Sequence, residues 1–380
     1  MKVTLQLQLL PTADQKATVL ATMERFNAAA SFAAKVGFDA GVYSQPSIHE
    51  RAYREIRERF GLSAQMAVRA IGKAVESFAR DKTKCPTFQP HGAVTYDERI
   101  LGFKGLDKVS LGTLTGRMVL PLVYREYQGQ RFDRLKGQCD LVYRGGKFYL
   151  YSTADVPENP PGDVQDYLGV DLGIVNIATT SDGETIRGAG VESVRRKHNL
   201  HRKRLQRRGT KGARKKLKRV AAKESRFRRH QNHGISKEIV TTAKRTSRGI
   251  ALEDLKGIRQ RVTARGGDAR NRLSGWSFSQ LYSFLACKAR IAGVAVVTVD
   301  PRNTSRTCAA CGHRAKSNRM SRGEFSCKAC GDEANADVNA ARNIRALGST
   351  KGPSKNGFQV STGRCHCHPR SHAPRGNAVS

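Results

Sequence analysis

Four cysteines in two tight pairs constrain this chain more than any other feature. Cys308-x-x-Cys311 is followed by fifteen residues and then by Cys327-x-x-Cys330. Each pair can turn two thiolates toward one point, and Gly312 and Gly331 behind the pairs ease that turn. The spacing fits the tetrahedral site of a zinc ribbon, the competing reading being four unrelated buried cysteines. All four positions are cysteine, so no coordination position is left open for substrate. One structural Zn2+ is expected here. His313 reads as a surface residue rather than a ligand.

The nine cysteines are an odd number, and the paired four suit a reducing compartment better than a disulfide framework. Across 380 residues, 68 Lys and Arg face 32 Asp and Glu, for a net charge of +36. Such an excess points to a polyanionic partner, most often nucleic acid; a ribosome-type or membrane-surface protein is the other reading. No apolar run reaches the ~18 residues of a membrane span. The N-terminal MKVTLQLQLLPT lacks the basic start and long apolar centre of a signal peptide. No membrane partner is expected.

Alternation of Val3, Leu5, Leu7 and Leu9 with polar residues predicts a half-buried strand over 2–10. Thr12 then caps a helix whose apolar face carries Val19, Leu20, Met23, Phe26, Ala30 and Ala34. Two further amphipathic helices are expected, near 47–60 and 63–82. From Cys85 to about Val156 the pattern turns to period two, and Arg144-Gly145-Gly146-Lys147 has the composition of a hairpin turn. One strand, a helical insert and a run of strands predict a small β-barrel with helices inserted near its start. ENPPGD, residues 158–163, reads as a linker.

Beyond it lies YLGVDLGIVNIATTSDG (167–183), a strand-length apolar run with Asp171 in its middle. A carboxylate there either caps a turn or is paired or metal-bound, since burying it alone is costly. GIALEDL (249–255) is a second such run and ends in Glu253; VAVVTV (294–299) is a third. Strands alternating with helices predict an α/β layer architecture. A third acid, Asp337, opens the helix-like ADVNAARNI, where an Asp often serves as a cap. Asp171, Glu253 and Asp337 nevertheless form a set in a strongly basic chain. Phosphodiester hydrolysis uses such a set to hold two divalent ions ~3.5–4 Å apart. Mg2+ takes a few carboxylates plus waters and leaves room for the scissile phosphate.

Between the first two acids lies the most basic stretch: residues 195–229 hold eighteen Lys or Arg against one acid, Glu224. A charge run is commonly a solvated face; at this density, on paired helices divided at Gly209 and Gly212, phosphate contact is expected. The contact residues would be Arg195, Arg196, Lys197, Arg202, Lys203, Arg204, Arg207, Arg208, Lys211, Arg214, Lys215, Lys216, Lys218 and Arg219. Leu200 and Leu205 are expected on one apolar side, with Leu217, Val220, Ala221 and Phe227 on the other. Arg314, Lys316, Arg319 and Arg322, between the cysteine pairs, are read as further phosphate contacts.

GVDLGIVNIAT (169–179), IALEDL (250–255), TSRTCAACG (304–312) and the block from CKACG to DVNAARNI (327–344) resemble the TnpB family. These are transposon-encoded RNA-guided DNA endonucleases related to the type V CRISPR effectors. The resemblance implies a RuvC-like nuclease domain of the RNase H fold over 164–303 and 335–347, with Asp171, Glu253 and Asp337 as its two-Mg2+ triad. It implies a zinc-ribbon insert over 304–334, which binds target nucleic acid. It also implies an oligonucleotide-binding wedge barrel over 1–10 and 84–157, with a helical recognition insert over 11–83. The implied partners are a guide RNA from the transposon end and double-stranded target DNA with a short target-adjacent motif, base pairing supplying the remaining specificity. The implied location is the prokaryotic cytoplasm, at the nucleoid. Two positions depart from the family pattern: Ala336 stands where many members carry Arg, and Arg306 where Gln or Lys is common. Residues 348–380, with Cys365-His366-Cys367-His368, read as a disordered tail.

Three other readings remain: a guide-dependent DNA-binding repressor that does not cut, a DNA-joining transposase, and a structural RNA-binding protein with a zinc ribbon. The last leaves Asp171 and Glu253 without a role.

Overall fold

The computed structural model describes residues 1–162, 164–255, 278–321 and 323–351. Their contacts divide them into two units, the first ending at Val156 and the second beginning at Pro157.

In the first unit β1 (Lys2–Leu9) buries Val3, Leu5, Leu7 and Leu9. Thr12 and Gln15 form a reciprocal capping box that starts α1 (Ala13–Asp39). Helices α2 (Gln45–Phe60) and α3 (Ala64–Phe78) pack against it, and Phe26, Ala52, Ile56, Met66 and Ile71 enter one core with the strands. Helix α3 ends at Phe78, short of the expected 82, because the exposed Asp81 and Lys82 extend no apolar face. Strands β2 (Val94–Tyr96), β3 (Leu101–Lys104), β4 (Lys108–Thr113) and β5 (Gly116–Val123) follow. A four-residue α4 (Glu126–Gly129) then precedes β6 (Leu135–Arg144) and β7 (Lys147–Asp155). The hairpin expected at Gly145-Gly146 joins β6 to β7, both glycines having positive φ. The seven strands form one antiparallel sheet in the order β2-β6-β7-β1-β5-β4-β3. Tyr96 of edge strand β2 donates its hydroxyl to the Gly112 carbonyl on β4 (3.0 Å), which draws the sheet toward closure.

The second unit is built on a five-stranded sheet in the order β10-β9-β8-β11-β12. Strands β8 (Tyr167–Asp171), β11 (Gly249–Glu253) and β12 (Val296–Val299) run parallel. Strands β9 (Asn176–Thr180) and β10 (Thr185–Arg187) add an antiparallel edge. Between β10 and β11 run the long basic helices α5 (Ala189–Arg208) and α6 (Lys211–Arg245); α7 (Phe278–Ala292) precedes β12. Ile235, Ile239, Leu281 and Leu285 of α6 and α7 cover one sheet face at Leu168, Val170, Ile250 and Leu252. The other face carries α8 (Ala336–Lys351), whose Ile344 packs with Tyr167, Ala251, Val297 and Val299. Both faces are therefore covered, as the short all-apolar strands require.

Gly169 sets how α8 lies. A Cβ at this position would meet the Ala341 carbonyl at 2.0 Å and the Arg345 nitrogen at 2.6 Å, so only glycine lets helix backbone rest on β8. At the far end of the contact, Gly348 sits over Ala251 and Tyr167. That packing carries the helix to Lys351, past the 347 boundary read from sequence. The Cys365–His368 segment and the Gly- and Arg-rich stretch 259–272, which the sequence pattern reads as a loop, lie outside the described residues. No helix among the described residues is long and apolar enough to cross a membrane.

Candidate metal and nucleic-acid sites

Parallel pairing sets Leu252 opposite Val170, so Asp171 and Glu253 end neighbouring strands at the same edge of the sheet. Asp337 comes to that edge in the first turn of α8, the helix seated on β8 through Gly169. All three acids are half-buried. Asp337 does not serve as the helix cap. Asn335 Oδ1 accepts from the backbone nitrogens of Asp337 (3.0 Å) and Val338 (3.3 Å), leaving the Asp337 carboxylate to face elsewhere.

Burial, reinforced by the charges of Glu253 and Asp337, pushes the Asp171 carboxyl up to about 7. Burial likewise raises Glu253. Two neighbours hold the acids in place: Thr304 Oγ1 donates to Glu253 Oε1 (2.6 Å), and Asn176 Nδ2 donates to Asp337 Oδ2 (2.8 Å). The Arg319 guanidinium lies 3.8 Å from Asp337 Oδ1 and also favours the charged form of Asp171. Mutually repelling carboxylates with no thiol or imidazole among them make an oxygen donor set. Such a set fits a hard divalent cation such as Mg2+.

The four cysteines converge, every sulfur lying within 4.8 Å of the others. Cys308 and Cys330 sulfurs are 3.8 Å apart and those of Cys311 and Cys327 are 3.6 Å apart. Zn–S bonds of about 2.3 Å in a tetrahedron require sulfurs about 3.8 Å apart, so the cluster fits zinc. The two halves are built alike. Gly312 N donates to the Cys308 carbonyl (3.0 Å) and Gly331 N to that of Cys327 (3.0 Å), while the Cys308 and Cys327 nitrogens donate to His313 and Asp332 carbonyls. Strands β13 (Glu324–Ser326) and β14 (Glu333–Asn335) form the hairpin that leads into α8, and buried Phe325 packs with Cys308, Cys327 and Ala336. Arg314, Lys316 and Arg319 lie between the pairs; Arg322 is outside the described residues.

The basic stretch folds as two helices broken at one glycine, not two. Gly209 (φ 62) ends α5, Thr210 caps α6, and Gly212 lies inside the first turn of α6. The apolar seam is thinner than the sequence pattern indicated. Leu205 is buried, but Leu200 is 64% exposed and Ala221 is also exposed, because Glu224 occupies the interface in their place. Buried Glu224 receives Arg202 of α5 at 3.3 Å and pins the helices together. Arg195, with only 11% of its side chain exposed, pairs with Glu192 at 2.7 Å, and Arg196 reaches the same acid at 3.1 Å. Lys197, Lys203, Arg204, Arg207, Arg208, Lys211, Arg214, Lys215, Lys216, Lys218 and Arg219 are exposed. Lys215, Lys216, Arg219 and Lys223 line a shallow basic hollow of about 420 Å³ beside Gly212 and Val220.

Two family models match parts of the chain: one described as "Cas12f1-like, TNB domain" over residues 278–344, and one described as "Probable transposase" over 149–257. The CRISPR-associated endodeoxyribonuclease Cas12f1 of Sulfoacidibacillus thermotolerans is 34% identical over 53% of this chain and 50% of its own length. A putative RNA-guided DNA endonuclease of Escherichia coli, InsQ, is 28% identical over 75% of this chain and 73% of its own. A TnpB-like protein of Methanocaldococcus jannaschii is 30% identical over 37% of this chain and 51% of its own. The chain is thus similar to proteins named TnpB-like, InsQ and Cas12f1. It spans about half the length of the first of these relatives. Its fold is that of a solved Cas12f1–sgRNA–target DNA complex, with a TM-score of 0.60 over 90% of this chain and 98% of that one, at 14% identity.

Nothing in the residue pattern alone assigns a role to Thr304, Asn176, Asn339 or Asn343. Thr304 opens TSRTCAACG, and Asn339 and Asn343 are spaced one helical turn apart on α8. Asn176 lies inside GVDLGIVNIAT in the same way, but its bond to Asp337 crosses 161 positions and is not readable locally.

Proposed function

We propose that the chain is an RNA-guided DNA endonuclease of a transposable element, hydrolysing target phosphodiester bonds with Mg2+ held by Asp171, Glu253 and Asp337. The observation that carries this reading is that Asp171 and Glu253 end neighbouring parallel strands with Asp337 close by, where burial and the charges of the other two acids raise Asp171 to about 7. Such a cluster calls for a cation. Bound there, two divalent ions would supply a water-derived nucleophile and charge for the leaving oxygen. The chain's own residues do the rest: Thr304 and Asn176 fix the acids, and Arg319 adds positive charge that favours a phosphate at the same edge.

A mixed sheet with acids closing its first and fourth strands in chain order supports a RuvC-like nuclease domain of the RNase H type. The sulfur spacing supports a structural zinc ribbon over 304–334. Two relatives are named endonucleases, one of them RNA-guided, which supports a guide RNA and a DNA target as partners. On this reading the seven-stranded sheet serves as the wedge barrel and α1–α3 as its recognition insert, together gripping the guide and reading a short target-adjacent motif.

The test is to co-express the chain with its own flanking DNA, sequence the RNA that co-purifies, and challenge the complex with a plasmid library carrying a randomised flank. Cutting should need Mg2+ and a matching target, and should vanish with Asp171→Ala or Glu253→Ala. Persistent cutting by those variants sinks the reading. Target binding without cutting by the unaltered chain would indicate a repressor, and integration products a transposase.

A further inference from the structure

The 304–309 backbone, which enters the four-cysteine cluster, is fastened to α8 by two asparagines. Asn343 Nδ2 donates to the carbonyls of Thr304 (2.8 Å) and Thr307 (2.7 Å). Asn339 Nδ2 donates to the Thr307 carbonyl (2.8 Å), while its Oδ1 accepts from the Ala309 nitrogen (2.9 Å). Asn339 is fully buried, so these bonds are shielded from competing water. They give Thr304, four positions before Cys308, a main chain fixed against α8.

Thr304 is itself 4% exposed. Its hydroxyl lies 2.6 Å from Glu253 Oε1 and 3.2 Å from the Pro301 carbonyl. A hydroxyl has a single proton, and the shorter contact to a charged acceptor is the stronger bond. The proton therefore goes to Glu253. Glu253 ends β11 and has freedom about its side-chain torsions; the Thr304 bond selects one orientation for a carboxylate that the strand alone does not orient.

We propose that Thr304 is a positioning residue that presents Glu253 to the divalent cation, and that the Asn339–Asn343 rail makes this presentation depend on the fold of the four-cysteine segment. The proposal rests on the carboxylate site proposed above. Hydrogen-bond partners outside a metal's direct ligands orient those ligands, and losing one commonly costs 10–100-fold in metal affinity. By this route the cysteine cluster, which has no open coordination position of its own, acts on the chemistry at the sheet edge.

The experiment measures Mn2+ binding to the full-length chain by electron paramagnetic resonance, with Asp171→Ala defining binding elsewhere on the protein. Zinc content and melting temperature are followed in parallel. Thr304→Val keeps the side-chain volume and removes the donor, and its Mn2+ dissociation constant should rise by about 10–100-fold. Thr304→Ser restores a hydroxyl and should return binding close to that of the unaltered chain, with one zinc per chain in both variants. Asn343→Ala should shift Mn2+ affinity in the same direction as Thr304→Val.

Unaltered Mn2+ affinity in Thr304→Val overturns the proposal. So does an equal loss in Thr304→Val and Thr304→Ser, which would mean that the site tolerates neither variant and the hydroxyl is not what matters. If the unaltered chain and Asp171→Ala bind Mn2+ alike, the carboxylate site itself is wrong, and the nuclease reading fails along with this one.

Discussion

Asn176 donates its side-chain amide to Asp337 Oδ2 at 2.8 Å, tying the first residue of β9 to the first turn of α8. The bond turns an acid that needs no capping role toward the edge where Asp171 and Glu253 end their strands. Asn176→Ala removes this restraint on Asp337. We expect the Mg2+ concentration for half-maximal cleavage to rise by about 10–100-fold, with the melting temperature little changed. An unchanged Mg2+ requirement would falsify an orienting role for this residue.

Asp171 offers a test that needs no nucleic acid. Its carboxyl is raised to about 7 in the folded chain, against an ordinary value near 4. Between those values the folded chain retains a proton that the unfolded chain has released. The metal-free protein therefore loses stability as pH climbs through this window. Asp171→Asn removes the charge and with it this loss. The metal-free variant should melt above the unaltered chain at pH 8, by roughly 2–4 °C for each kcal/mol relieved, and the gap should close toward pH 4. Added Mg2+ should raise the melting point of the unaltered chain and not of the variant. A gap that stays constant with pH would remove the electrostatic account of the cluster.

Two glycines should respond to alanine with opposite signs. At Gly169 the new Cβ would sit 2.0 Å from the Ala341 carbonyl, a collision with backbone that cannot rotate away. Overpacking of this kind costs about 1–3 kcal/mol and occasionally more, so Gly169→Ala should lower the melting temperature of the second unit and displace Asp337. Gly212 has nothing within 4 Å and lies in the first turn of α6. There alanine should raise helix stability by up to about 1 kcal/mol. Thermal melts of the two variants check both signs.

What the sequence displayed follows from local chemistry. The Thr12 cap, the Gly145-Gly146 turn and the alternation along β1 each depend on neighbours within a few positions, and all three stand where the residues put them. The acids were visible as oddities, yet their adjacency was not, because parallel pairing joins Leu252 to Val170 across a long insertion. Charge counting also treats all arginines alike. Nothing in the run 195–229 distinguished Arg195 and Arg202, which serve Glu192 and Glu224, from the exposed bases around them. The end of α8 was hidden for a similar reason: Gly348 looks like a helix stop until Ala251 is known to lie beneath it.

The cysteine cluster makes a stoichiometric prediction. Cys308 is buried with Phe325 and Ala336, at the root of α8. Cys308→Ser should lower zinc content from one atom per chain toward none and reduce the melting temperature, since a structural zinc contributes directly to folding free energy. Elemental analysis with a thermal melt reads both. Full zinc and unchanged melting in the variant would rule out the ribbon.

The basic helices should reveal themselves through salt. Each phosphate contact to a single strand adds about −0.7 to the slope of log affinity against log salt. Lys215, Lys216, Arg219 and Lys223 surround one hollow on α6, and all four are exposed, so they are free to meet phosphate. Replacing Lys215, Lys216 and Arg219 by Gln should flatten the slope for guide RNA by up to about 2. Arg202→Gln should behave differently. It breaks the pin to buried Glu224 and should lower the melting temperature while moving the slope little. If the triple variant keeps the full slope, the hollow does not touch RNA, and the contacts must lie on the α5 bases instead.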